Sequence, residues 1–292
     1  MTAALRIGTC NWSDHSDFYP RGLPLRDRLA YYARFFPIVE VDSSYYAIPT
    51  PERTRAWSEA VPDAFLFNVK AFRSMTYHER VGGEPREPTA GEESAFLACL
   101  EPLREAGKLR AVHYQFPPWF TASPANQDRL ARLRERHQRD LVVVEFRHRS
   151  WADPEGLPQL LGLLAEAQVS LCLVDEPQIG SGSFPTLQEL TDPRLAVIRF
   201  HGRNRHTWYR PGPTSGDRFD YLYREDELRE WSEPIRELVN SADELHLLFN
   251  NNRANYAVVN GLQMAHILGL DYPPLPSAQP SLPIAPARES QR

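Results

Sequence analysis

Cysteine is scarce. The three present, Cys10, Cys99 and Cys172, lie too far apart in the chain to form a CxxC pair or a zinc framework. They suit a reducing cytoplasm better than a disulfide-stapled secreted domain. No apolar run approaches membrane-spanning length, and no charged leader precedes the first apolar run at Leu5-Arg6-Ile7-Gly8-Thr9. Excess positive charge is missing as well. A net charge of -5 and a pI of about 6.0 speak against wholesale coating of nucleic acid and allow only a local basic patch. The chain has no GxGxxG loop, no HExxH helix and no serine in a nucleophile elbow. Dinucleotide binding, zincin chemistry and serine acyl transfer therefore have no signature here. The expectation is a soluble, cytoplasmic protein without a membrane partner.

What the chain does have is alternation. Short β-branched runs at 5–10, 38–43, 65–70, 109–116, 141–146, 170–175, 195–201 and 244–250 read as strands. Helical patterns fall between them near 25–36, 51–60, 92–106, 124–137, 154–167, 226–240 and 255–268, with a short helix near 185–190. Eight β/α units predict a TIM-like (β/α)8 barrel over residues 1–270. The Pro-rich segment 271–292 reads as a disordered tail. Thr50-Pro51, Ser123-Pro124 and Asp153-Pro154 each place a capping oxygen before a proline, which predicts helix starts there. Links 11–24, 71–91 and 202–225 are long, and in such barrels the long strand-to-helix loops build the functional face.

Strand side chains alternate between two faces, so each run divides into an apolar set and a second set pointing inward. The second set is polar on nearly every strand. It comprises Thr9 and Asn11, Glu40 and Asp42, Asn68 and Lys70, His113 and Gln115, Glu145 and Arg147, Asp175, Arg199 with His201 and then Arg203, and His246 with Asn250. A barrel interior built only for stability is filled with Val, Ile and Leu. Buried ionisable groups must pair with one another or meet a ligand. The same residues read as one internal salt-bridge network or as a binding site.

Several stretches together resemble the YecE-like family (domain of unknown function 72). They are Ile7-Gly8-Thr9-Cys10-Asn11-Trp12-Ser13, Val39-Glu40-Val41-Asp42-Ser43-Ser44-Tyr45-Tyr46, Phe67-Asn68-Val69-Lys70 and Gln115-Phe116-Pro117-Pro118. Glu145-Phe146-Arg147-His148-Arg149-Ser150-Trp151, Arg199-Phe200-His201-Gly202-Arg203 and Phe249-Asn250-Asn251-Asn252 complete the set. The resemblance runs through roughly 5–268 and implies a TIM-barrel-like fold without a transferable reaction. The chain departs from the family pattern at Cys10-Asn11, Asp42 and His113-Tyr114.

Three chemistries fit these residues. Acid–base catalysis on a small anionic ligand, phosphorylated or acidic, would use Glu145, Asp175, His201 and Asp42 for protons. Lys70, Arg147, Arg199 and Arg203 would bind the anion, with Gln115, Asn250, Asn11 and Trp12 as further binding residues. A metal-dependent hydrolase would gather His113, Glu145, Asp175 and His201 around one divalent cation. Nucleic-acid binding would use basic and aromatic loop residues, Arg73, His78, Arg80, Arg149, Arg203, Arg205, His206, Trp208, Tyr209 and Arg210. The first is the preferred expectation, with no cofactor required.

Overall fold

The computed structural model describes residues 3–209 and 215–276. Each expected strand is present, displaced by at most two residues at either end: β1 Ala4–Cys10, β2 Ile38–Val41, β3 Leu66–Lys70, β4 Leu109–Gln115, β5 Leu141–Glu145, β6 Val169–Asp175, β7 Ala196–Phe200 and β8 Glu244–Phe249. They close into a parallel barrel in chain order, with β8 returning to pair with β1. Closure leaves no edge strand, which satisfies every strand's backbone without a covering element. At the β1–β2 seam the backbones approach so closely that a Cβ on Gly8 would lie 2.2 Å from Ile38 O. Only glycine fits there.

One residue set of each strand faces the surrounding helices. Val39, Val41, Phe67, Val69, Val112, Val142, Val144, Ile198 and Phe200 are fully buried. Pro51–Glu59 and Pro124–Ala131 start as read, with the Thr50 and Ser123 hydroxyls each accepting an amide N–H at 3.3 Å. Ala90–Glu105 starts with a Thr89–Glu92 capping box that had no place in the sequence reading. The expected start at Pro154 is corrected: Asp153 keeps an extended backbone and the helix begins at Leu157. No helix occupies 185–190. Thr186 and Thr191 instead bond their hydroxyls to the β6 carbonyls of Val174 and Val169, and Pro185 lacks the N–H a helix would use.

At the C-terminal end of the barrel, stacked rings brace the β3, β4 and β5 loops. Tyr77, Phe120 and Phe116 stack at 5.6 and 4.1 Å, and Phe146 and Trp151 continue the stack at 4.6 Å. A two-stranded hairpin, Arg80–Val81 with Glu84–Pro85, projects from the β3 loop. At the other end, Tyr272 from the segment expected to be disordered accepts the Ile7 N–H through its hydroxyl at 2.8 Å. The rest of that expectation, 277–292, lies outside the described residues. Among the described residues no helix is long and apolar enough to cross a membrane.

Candidate active site

The inward set forms two layers. In the deeper one, Arg199 of β7 lies between two carboxylates. Its Nη2 is 2.5 Å from Glu40 Oε1 and its Nη1 is 2.6 Å from Glu145 Oε2, with all three side chains fully buried. His113 spans the same two acids, Nδ1 at 2.9 Å from Glu40 and Nε2 at 3.3 Å from Glu145. Burial by itself would raise both glutamates, but Arg199 and His113 hold Glu40, and Arg147 and Arg199 hold Glu145, well below the usual carboxylate range. Burial likewise disfavours a charged His113, yet the two glutamates outweigh it and raise its pKa.

The upper layer starts at Arg147. Its Nη2 is 2.5 Å from Glu145 Oε1, its Nη1 pairs with Glu176, and an N–H points at His201 Nε2 from 3.0 Å. A guanidinium can only donate, so His201 Nε2 is the acceptor and its Nδ1 carries the hydrogen. Asn250 Nδ2 sits 2.9 Å from that Nδ1. Both cannot donate, so the amide turned over, with its oxygen accepting from the ring, satisfies the contact. Burial and Arg147 push the His201 pKa well down, so the ring is neutral with both nitrogens committed.

Gln115 Oε1 accepts from three cations, Lys70 Nζ at 3.1 Å, Arg199 Nη1 at 3.4 Å and Arg147 Nη2 at 3.5 Å. Lys70 Nζ also lies 3.6 Å from Asp42 Oδ1. The Asp42 side chain keeps 18% of its surface exposed. Burial, countered by Lys70 and reinforced by Glu40, raises its pKa to about 6. Glu176 is raised to about 7 by burial, against the pull of Arg147.

Over this floor the loop after β7 folds back. Trp208 is 2% exposed, and two guanidinium carbons approach its ring centroid, Arg218 at 4.4 Å and Arg147 at 5.1 Å. On the opposite rim Tyr46, Tyr45, His78 and Trp119 meet edge to face in succession, and Lys70 lies 5.1 Å from the Tyr45 ring.

Several expected residues stand elsewhere. Asp175 is in register with Phe200, so it points toward the helices; Arg203, Tyr223 and Trp231 bind its carboxylate there. Arg203 is thus closed on Asp175 and Glu230 and does not face the interior. The left-handed backbone of Gly202 (φ 87°) breaks the alternation just before it. On β1 the phase is one residue off. Thr9 bonds outward to Tyr32, and Cys10 is the inward residue, its Sγ 3.3 Å from Arg199 Nη2. Asn11 has a left-handed backbone (φ 64°) and bonds Ser13 and Asp14 within its own loop. Trp12 packs edge-on against Trp57. Of the four residues expected to move protons, Glu145 is locked between Arg199 and Arg147, His201 is committed and Asp175 is outside. Asp42 alone has both an open surface and a pKa near neutrality.

Glu176, Arg218 and the role of Trp208 escaped the sequence reading. Glu176 lies one residue past β6, and parity continued for one more position would have placed it inward. Arg218 sits in a long loop with no periodic signal.

The expected metal set loses Asp175. Two other groups, His113 with Glu145 and Cys172, and Cys10 with Glu40 and Asp42, have donor atoms within 4.8 Å of one another. The Arg199 guanidinium already faces both groups. In the basic loops, Arg73 pairs with Glu79, Arg203 with Asp175, and Arg149 and Arg205 with the Gln178 side chain and carbonyl; Arg210 lies outside the described residues. At the opposite end of the barrel, a depression of about 250 Å³ beside Arg104, Arg110 and Asp140 has its charges closed on one another, Arg104 on Asp140 at 2.7 Å and Arg110 on Glu244 at 2.6 Å.

Comparison with known proteins places the fold and family. The family described as protein of unknown function DUF72 matches residues 6–284. UPF0759 protein YunF of Bacillus subtilis (strain 168) is 39% identical over 274 residues, 91% of this chain and 95% of that protein. A crystal structure of a DUF72 family protein from Enterococcus faecalis V583 superposes with a TM-score of 0.83 at 32% identity, covering 94% of this chain and 99% of that one. One from Thermotoga maritima MSB8 gives 0.78 at 32% identity, covering 91% and 99%.

Proposed function

The chain belongs to the DUF72 family, and we propose that this member is an enzyme that transfers protons on a small anionic ligand at the C-terminal mouth of its barrel. The observation that carries the reading is the pairing of Asp42 with Lys70 at the open end, above a buried platform of paired charges. A carboxyl with a pKa of about 6 divides its time between acid and base near neutrality, where proton transfer by a positioned group is most effective. Lys70 beside it offers a point charge to a substrate anion, and Gln115 Oε1 holds that lysine in place by accepting from it. Beneath them Glu40, Glu145, His113 and Arg199 hold the floor rigid, because no member can leave without stranding a buried charge. This platform orients; it does not itself exchange protons.

The test is turnover in deuterated buffer. The protein is incubated with a panel of phosphorylated and carboxylic metabolites, and proton NMR follows product formation or loss of carbon-bound protons. Asp42→Asn is expected to lower turnover by roughly 10²–10⁴-fold, the usual range for a lost general acid or base, with ligand affinity held within about threefold. Turnover undiminished in Asp42→Asn overturns the assignment.

A further inference from the structure

On the floor the cations are paired, Arg199 with Glu40 and Glu145, Arg147 with Glu145 and Glu176, and Lys70 with Asp42, but among the described residues Arg218 above them has no such carboxylate. Gln115 Oε1 is a neutral amide oxygen, yet it stands among three cations at 3.1–3.5 Å. A carboxylate would balance that position better. With Oε1 held there, the Gln115 N–H2 turns to the other side. On the lid, the Trp208 indole N–H is buried without an acceptor, and so is Arg218 Nε. Among the described residues no carboxylate lies within ion-pair distance of the Arg218 guanidinium, and burial with Arg147 nearby lowers its pKa to about 10. Buried donors and cations without partners destabilise a fold. Here they occur beside the floor, linked to it by Arg147, which touches both Gln115 and the Trp208 ring.

We propose that this mouth binds a phosphoryl group, with its oxygens divided between Lys70 and Gln115 on the floor and Arg218 and Trp208 beneath the β7 loop. The inference rests on reading the mouth as the ligand site and names what the ligand bears there. A carboxylate has two coplanar oxygens and a single charge, and one bidentate arginine satisfies it. Lys70 and Gln115 belong to the barrel floor and Trp208 and Arg218 to the loop after β7, so the donors come from separate elements. They suit three tetrahedrally arranged oxygens and a charge near -2. The loop after the seventh strand is also where barrels of this class commonly seat phosphate.

The experiment is calorimetric titration of the full chain with inorganic phosphate, and separately with acetate, in a buffer free of both. Phosphate is expected to bind, and acetate at least tenfold more weakly. Trp208→Phe keeps the ring and removes the N–H, and Arg218→Gln removes the lid cation; each is expected to weaken phosphate at least tenfold. Arg218 is only partly buried, so its variant is the safer one if Trp208→Phe misfolds. Gln115→Glu supplies the missing anion and is expected to raise the melting temperature while abolishing phosphate binding. No phosphate binding, equal affinity for acetate, or unchanged phosphate affinity in Gln115→Glu each overturns the proposal. Phosphate bound by a protein whose Asp42 plays no part in turnover removes the catalytic reading and leaves this one. Turnover of an unphosphorylated acid, without phosphate affinity, does the reverse.

Discussion

Arg203 closes on Asp175 with two nitrogens, Nε at 3.0 Å from Oδ1 and Nη2 at 2.7 Å from Oδ2, and the pair stands on the helix side of the barrel wall. Tyr223 and Trp231 donate to the same carboxylate at 2.9 and 2.7 Å. This cluster ties the start of the loop that carries Trp208 and Arg218 to the end of β6. Asp175→Ala leaves Arg203 on Glu230 alone and takes the acceptor from two buried donors, Tyr223 and Trp231, and we expect it to lose about 2–4 kcal/mol, on the scale of stranded buried donors. Urea unfolding measures this. A folded Asp175→Asn that stays at wild-type stability and loses turnover would restore Asp175 to the chemistry.

Arg199→Met leaves Glu40 and Glu145 facing each other without their cation. At pH 7 it should lose stability on a similar scale, about 3–5 kcal/mol. The sign with pH follows from the depressed folded-state pKa values of the two acids. Their contribution is complete above the ordinary glutamate value of about 4.3 and is lost as pH falls below it. The gap between wild type and Arg199→Met should therefore narrow progressively as pH falls below about 4 toward the depressed folded-state values, which unfolding curves across pH will read directly.

Glu176 behaves oppositely. Its folded-state pKa of about 7 lies above its unfolded value, so the folded state holds the proton more tightly and stability declines as pH rises from about 4.5 to 7. Glu176→Gln removes that slope while keeping an acceptor for Arg147. The melting temperature of the variant should gain on wild type between pH 5 and pH 8. A gap that stays constant across that window would show that Glu176 is ionised throughout.

Gly202 has φ 87°, and a Cβ there would lie 2.5 Å from Tyr221 Cβ. Gly202→Ala combines left-handed strain with a collision and should cost about 2 kcal/mol or more. Because residue 202 sets the path of the loop bearing Arg218, phosphate affinity in the folded variant should fall with it. Calorimetry beside urea unfolding separates the two effects.

All three thiols are buried, and burial raises the pKa of each. A disulfide reagent at pH 8 should label none of them in the native protein and all of them in urea. Rapid native labelling of Cys10 or Cys172 would mean that the Arg199 layer opens to solvent.

Much was legible in the sequence, because period-two patterning is local. β-branched runs bounded by helical stretches specified eight β/α units. The alternation within β2, β3, β4, β5, β7 and β8 specified which side chains share the interior, since a strand cannot bury its other face against helices without apolar residues. Parity ends where the pleat ends. At Asn11 and Gly202 the backbone turns left-handed, and on β6 the pattern marks neither face as the interior, so the choice between Asp175, its last paired residue, and Glu176 just past it depends on which parity turns inward. Only closure of the barrel settled that, by placing Arg203, Tyr223 and Trp231 outside and Arg147 within. The same holds for which acids are locked and which one is open. Glu145 and Asp42 read alike along the chain, and they differ because Glu145 is fully buried against two guanidiniums at 2.5 and 2.6 Å, while Asp42 stays partly exposed with Lys70 and Arg199 no nearer than 3.5 Å. Arg218 joins the site from a long loop whose position depends on packing against Trp208, an interaction between residues that no periodicity connects.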